Sequence, residues 1–179
     1  MNFELSQLPE YFGIAGFLLW ALSERWFQLS KSQQAGGDQR DQGTLLLISL
    51  FWYAAVIISI VDAHYTHWTT LTPLTGLHWF GISLILAGLL VRIQARRTLK
   101  QQYSALVKTS ASHRLITTGI YGWVRHPAYL GLALLFLGIP LSSGSLLGLC
   151  IAVLGGIPSI GYRLKIEERF LVEVFGDPY

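Results

Sequence analysis

Residues Thr44 to Val61 read TLLLISLFWYAAVIISIV, an apolar stretch without one charged side chain. About 20 such residues in a helix cross the hydrocarbon core of a bilayer. Lipid offers the backbone no hydrogen-bond partner, so such a stretch closes its own bonds as a helix. Four further apolar segments flank it. One runs from Pro9 to Leu29 with Glu24 and Arg25 near its end, and the polar loop Lys31–Gly43 follows. Another runs from Gly76 to Ile93, with Arg92, Arg96, Arg97 and Lys100 as its basic tail. Pro127 to Leu141 is short for a span, and Leu146 to about Tyr162 completes the set.

Composition agrees. Apolar residues make up 52% of the chain and charged residues 13%, against about 25% charged in a soluble domain. The mean hydropathy is +0.46. At 179 residues one membrane domain is expected, with residues 1–97 as a three-helix part. Residues 98–179 then hold a ligand-binding segment, a helical hairpin and a C-terminal helix. The turn Ser142-Ser143-Gly144-Ser145 makes the last two apolar segments a hairpin. Gly155 and Gly156 allow close helix contact, and Pro158 predicts a bend or break. The fold class expected is therefore all-α: a polytopic membrane protein of about five transmembrane helices, with a C-terminal hairpin and a short amphipathic C-terminal helix.

Charge placement sets the orientation. Lys and Arg are missing from the start of the chain and from the loop between Asp62 and Thr75, but crowd the segment after Leu99 and the C-terminal tail. The positive-inside rule then puts the N-terminus outside and the Thr98–His126 segment and C-terminus in the cytoplasm, with Trp68 and Trp79 at the outer interface and Trp26 at the inner one. In a bacterium the membrane would be the inner (plasma) membrane. The net charge of +3 follows this topology and carries no nucleic-acid footprint. Glu4 and Glu10 precede the first apolar run, so no cleaved signal peptide is expected. Cys150 reads as a small hydrophobe. His64, His67 and His78 have no spacing suited to a metal, and no metal site is expected.

Two stretches could carry chemistry. The first is GIYGWVRHPAY, Gly119 to Tyr129. A proline ahead of an apolar run suits the first position of a helix, which makes His126 the cap. Such a helix start, with Arg125 and His126 beside it, attracts a carboxylate or phosphate. An interfacial helix start with a snorkelling arginine explains the same residues. The second stretch is RLKIEERFLVEVFG, Arg163 to Gly176. On a helix Leu164, Leu171, Val174 and Phe175 form one apolar stripe, and Glu167 and Glu168 fall on it. Arg163 lies one turn before Glu167 and can face it. A surface ion pair is the plain alternative, but ionisable groups on an apolar stripe beside a span point to function.

Together HRLITTGIYGWVRHPAYLG (His113 to Gly131), an intervening hairpin and R-x-x-x-E-E-x-x-L-x-x-x-F-G resemble the isoprenylcysteine carboxyl methyltransferase family, over residues 113–176. The resemblance implies a cytosol-facing pocket for S-adenosylmethionine. It assigns His113, Arg114, Leu115, Ile116, Tyr121, Arg125, His126, Pro127, Tyr129 and Glu167 to the cofactor. It assigns Arg163 and Glu168 to catalysis, with Arg163 facing the substrate carboxylate. Leu106 departs from the polar contact that some relatives place upstream of the histidine. The implied reaction is methylation of a lipophilic or lipidated acceptor that enters from the membrane, most simply carboxyl O-methylation of an isoprenylcysteine. A phospholipid amine or a thiol is the alternative acceptor. The Arg-His-Pro-x-Tyr stretch also resembles the C-terminal part of nicotinamide-dependent membrane sterol reductases, and a non-catalytic membrane scaffold is the third reading.

Overall fold

A computed structural model of the chain describes residues 43–71, 75–99 and 118–175, with the side chains of residues 75, 174 and 175 left aside. The first apolar segment, with Trp26, and most of the loop after it lie outside the described residues. Those described are helical, apart from turns and one isolated bridge between Thr70 and Ser145. Three helices among them are long and apolar enough to cross a membrane: Thr44–Thr66, Gly76–Leu99 and Leu146–Glu173.

Helix α1, Thr44–Val61, has the bounds of the uncharged stretch. Ile48, Trp52, Ala55, Val56 and Ser59 are buried. Leu46, Leu50, Tyr53, Ile57 and Val61 are exposed at helical spacing on the opposite face. A helix apolar all round has lipid on one side and protein on the other. Past Val61 the chain widens into a π turn, Asp62–Thr66, and leaves through His67, a non-glycine residue at φ 51°. Asp62 reads in the sequence as an ordinary loop acid, yet it is only 2% exposed. Its carboxylate accepts from the Trp68 N–H at 3.0 Å, the Thr69 N–H at 3.2 Å, the Thr66 hydroxyl at 3.2 Å and the Ser145 hydroxyl at 2.8 Å. The Thr69 hydroxyl adds a further bond. A buried charge is tolerated only when so compensated. The bond to Ser145 ties the end of α1 to a turn far along the chain.

Helix α2, Thr75–Leu99, and helix α3, Pro127–Ser143, are held backbone to backbone. A Cβ on Gly88 would lie 2.7 Å from the Gly131 carbonyl, and one on Gly131 would lie 2.7 Å from the Gly88 carbonyl. Gly81 and Gly138 repeat the relation at 2.8 Å in each direction. The two contacts sit about two turns apart on each helix, and the numbers run oppositely, so the helices are antiparallel. Small residues give this approach in a membrane, where apolar burial between helices adds little. On its other sides α3 meets α1, where the Trp52 and Phe136 rings stand edge to face with centroids 4.8 Å apart.

After the turn at Gly144, where φ is 70°, Ser145 caps helix α4, Leu146–Ile151, through its hydroxyl. A π turn, Ala152–Gly156, joins α4 to helix α5, Ile157–Phe175. Of the bend or break expected near Pro158, no break forms: the helix widens into the π turn just before it, and the short C-terminal helix is the continuation of the membrane helix. The physical reason is the π turn. Pro158 lacks an N–H, and the carbonyl it would have left unpaired lies inside a turn with wider bonding.

The bundle has two polar ends. Thr44, Arg92 to Leu99, residues 118–129 and Arg163 to Glu168 share one, and Asp62 to Leu71, His78 and Ser145 share the other. The glycine contacts are testable. Gly131→Leu and Gly88→Leu press a side chain into backbone that cannot yield, and should cost at least the 1–3 kcal/mol typical of overpacking. Gly161, with open space where a Cβ would stand, is the control: Gly161→Ala should be neutral or stabilising by about 0.5–1 kcal/mol. Thermal unfolding of the detergent-solubilised protein reads both, and equal midpoints for all three variants would refute the backbone contact.

Candidate active site

The site forms at the end of the bundle where α3 begins. Gly119, at φ 61°, opens a short 3-10 turn, Gly119–Gly122, that lies against Thr98 at the end of α2. Trp123 follows, 90% exposed, and Arg125 is exposed beside it. His126 is the cap of α3 and Pro127 its first residue, as the sequence predicts, with Pro127 fully buried. The His126 side chain does not cap the helix. Its Nε2 lies 3.3 Å from Glu168 Oε1, and its ring lies 6.1 Å from that of Tyr129.

One turn into α3, Tyr129 faces α5. Its hydroxyl donates to the Glu167 carboxylate and accepts from Arg163 Nε at 3.0 Å. Arg163 also donates through a terminal nitrogen to the Thr44 hydroxyl at 2.7 Å. At 3% exposure, this guanidinium is a buried cation, which is costly unless charge and hydrogen bonds compensate it. Tyr129 supplies an oxygen and links it to the Glu167 carboxylate. Arg92, also buried, donates to the Ala128 carbonyl at 3.0 Å and braces the first turn of α3 from the α2 side.

The structure thus brings together Tyr129, Arg163 and Glu167, and places His126 and Glu168 next to them. Arg163 and Glu167 meet through the tyrosine hydroxyl, an intermediary the helical spacing did not foresee. Tyr121 and Arg125 sit on the approach to the α3 start. His113, Arg114, Leu115 and Ile116 lie outside the described residues. The packed face of α5 is not the stripe expected from Leu164 and Leu171, which are half-buried. It runs through Ile160, Arg163 and Phe170, all buried, with Glu167 half-buried on the same line. Val172 is exposed, and Val174 and Phe175 have no described side chains. The reason is that α5 buries Arg163, with Glu167 half-buried beside it, against α1 and α3, so apolarity marks its packed face poorly.

Sequence reasoning passed over two residues that support this site, Arg92 through the Ala128 carbonyl and Thr44 through Arg163. Arg92 carried a signal, since arginine inside an apolar segment is expensive and marks function or pairing. Thr44 carried none: it is the first letter of an apolar run. Among the described residues no three His, Cys, Asp or Glu side chains are grouped to hold a metal ion.

Comparison with known proteins gives a consistent family. The family model described as phospholipid methyltransferase (PEMT) matches residues 77–178. The protein-S-isoprenylcysteine O-methyltransferase of Saccharomyces cerevisiae is 34% identical over 101 residues, covering 55% of this chain and 42% of the yeast protein. The Xenopus laevis protein of the same name is 31% identical over 141 residues, covering 75% of this chain and 48% of its own length. Protein-S-isoprenylcysteine O-methyltransferase B of Arabidopsis thaliana is 27% identical over 140 residues, covering 75% of this chain and 70% of the plant protein. The chain therefore spans less than half the length of the yeast and frog relatives. With more than half of its residues matched by the family model, the chain belongs to the phospholipid methyltransferase family, in line with the resemblance its two motifs bear to the isoprenylcysteine carboxyl methyltransferases.

Proposed function

We propose that the protein is a membrane-embedded methyltransferase that uses S-adenosylmethionine and esterifies the carboxylate of an isoprenylcysteine-like acceptor. The observation that carries this reading is the contact of Tyr129 with both Arg163 and Glu167 beside the start of α3. Such an arrangement offers a cation and a carboxylate within one side chain of each other, at the edge of an apolar bundle.

The donor set fits the cofactor. Its amino acid end carries an ammonium and a carboxylate. Glu167 suits the ammonium, while the α3 start, with Arg125 and His126, suits the carboxylate. His113 to Ile116 and Tyr121 belong to the same pocket in this reading. When bound, the cofactor supplies a methyl group on a sulfonium sulfur, ready for direct displacement. The protein's own task is alignment and desolvation. Arg163 orients the acceptor carboxylate, and Tyr129 fixes Arg163 relative to Glu167. Glu168 holds His126 against the helix start. A carboxylate acceptor is already ionised at neutral pH, so no residue here has to remove a proton from it.

The membrane serves the acceptor. In this reading the chain is a single domain of about five spans. Its N-terminus faces outward, and its last two apolar segments form a hairpin that holds the site at the cytoplasmic face. A prenyl chain then reaches the site through lipid. The named relatives are isoprenylcysteine O-methyltransferases, which supports the ester over the amine or thiol alternatives and over reductase chemistry.

Incubation with methyl-labelled cofactor and an N-acylated S-prenylcysteine should give a product whose label mild alkali releases as methanol. Label that resists alkali would favour an amine or thiol acceptor. Glu167→Gln should weaken cofactor binding at least tenfold, the scale of one lost charged hydrogen bond or ion pair. Unchanged affinity, read by calorimetry, would remove Glu167 from the cofactor site. Tyr129→Phe keeps the ring and removes the link. It should lower kcat/KM about 10- to 100-fold, again a loss of about 1.4–2.7 kcal/mol, and full activity would refute the linking role.

A further inference from the structure

We propose that Thr44 is a positioning residue of the active site: its hydroxyl holds the guanidinium of Arg163 in the plane from which it meets the acceptor. The inference rests on the function proposed above for Arg163. It concerns a residue outside the 77–178 region matched by the family model, on a helix whose sequence offers nothing but membrane-spanning character.

The geometry is specific. Thr44 is the first residue of α1 and is 1% exposed, although its neighbours Leu46 and Leu47 face outward. It follows Gly43, whose φ of 74° turns the chain into the helix without a side-chain cap. Its hydroxyl oxygen lies 2.7 Å from a terminal nitrogen of Arg163. Tyr129 takes Nε of the same guanidinium at 3.0 Å. Bonds from two different nitrogens of a planar group stop it rotating about either one. A long arginine side chain keeps several torsions of its own, and each of these bonds restrains a different part of the guanidinium. The two partners come from different helices, α1 and α3, so the arginine of α5 is set by the way the bundle packs.

Threonine suits the position. A valine has the same shape and no acceptor, and would take one hydrogen-bond acceptor away from a buried charged group. A serine keeps the acceptor and loses only a methyl. A merely space-filling role predicts the opposite order, with valine harmless and serine costly. The pair of variants therefore separates positioning from packing.

The experiment uses the full chain in detergent or nanodiscs, with turnover of an S-prenylcysteine acceptor, cofactor affinity and thermal unfolding measured on each variant. Thr44→Val should lower kcat about tenfold, the loss expected for one hydrogen bond to a charged group. Its cofactor dissociation constant should stay within about twofold of the wild type, because a transition-state contact is lost and a cofactor contact is not. Thr44→Ser should recover most of the rate. Full activity in Thr44→Val, equal damage in both variants, or an equal fall in cofactor affinity would each overturn the proposal. A double-mutant cycle of Thr44→Val with Arg163→Met in thermal unfolding reads the clamp without any turnover. Shifts that fail to add uphold it and additive shifts overturn it. If the wild-type protein transfers no methyl group to any prenylcysteine, the proposed reaction falls, and the cycle still decides whether Thr44 holds Arg163.

Discussion

The close approach of α2 and α3 is the constraint on which the rest of this structure depends. At Gly81–Gly138 and again at Gly88–Gly131 each glycine's carbonyl lies where a side chain on the other would begin, leaving no room for one between the backbones. Two such contacts about two turns apart fix the separation of the helices and their register along the axis. Immediately beyond the second contact the same pair of helices carries Arg92 and the first turn of α3, joined at the Ala128 carbonyl. The helix start that holds His126 and Tyr129 is therefore placed by rigid backbone packing, although the segment before it is loop. A site on a rigid element keeps its geometry better than one on a flexible connection.

Energetics explain why the buried arginine needs so many helices. An arginine 3% exposed in an apolar bundle has lost most of its hydration, and desolvation of that kind costs several kcal/mol. The contacts to Thr44 and Tyr129, with Glu167 one bond further on, offset that cost. The same logic appears at the opposite end, where Asp62 is buried and met by hydroxyls and N–H groups from its own loop and from Ser145. One end presents charged groups of both signs beside a helix start, an arrangement that suits a ligand. The other end gathers neutral donors on a single carboxylate from two separate turns, and serves to tie them.

Much of this was legible in the sequence because membrane helices announce themselves. The uncharged run Thr44–Val61 became α1 with the same bounds, and Pro127 became the first residue of α3. His126, Arg163, Glu167 and Glu168 stood out because ionisable residues are conspicuous against an apolar background, Tyr129 entered through the family resemblance, and the structure gathers them. What stayed hidden has a common physical character. The role of Tyr129 as the link, the reach of Thr44, and the burial of Asp62 are contacts between residues far apart in the chain. Apolar periodicity records which face of a helix avoids water, and on α5 it pointed to Leu164 and Leu171. The packed face instead contains Arg163 and Phe170, because polar residues with partners can be buried where hydropathy forbids it.

The π turn between α4 and α5 shows how finely this assembly is set. An extra residue accommodated in a helix turns everything beyond it by up to about 100° relative to a regular helix. Ahead of the turn, Gly148 meets Ser59 of α1; within it, Gly155 meets Phe51 of α1 and Gly156 meets Phe136 of α3. Beyond it, Arg163 is buried while Tyr162 is 51% exposed. Without the wider turn those glycines could keep their neighbours only if a different residue of α5 faced Tyr129 and Thr44. Pro158 is the second residue past the turn, after Ile157, and brings no N–H to the helix there. The proline read from sequence as a bend or break thus lies just past a wider turn, beyond which the helix runs on with Arg163 facing inward.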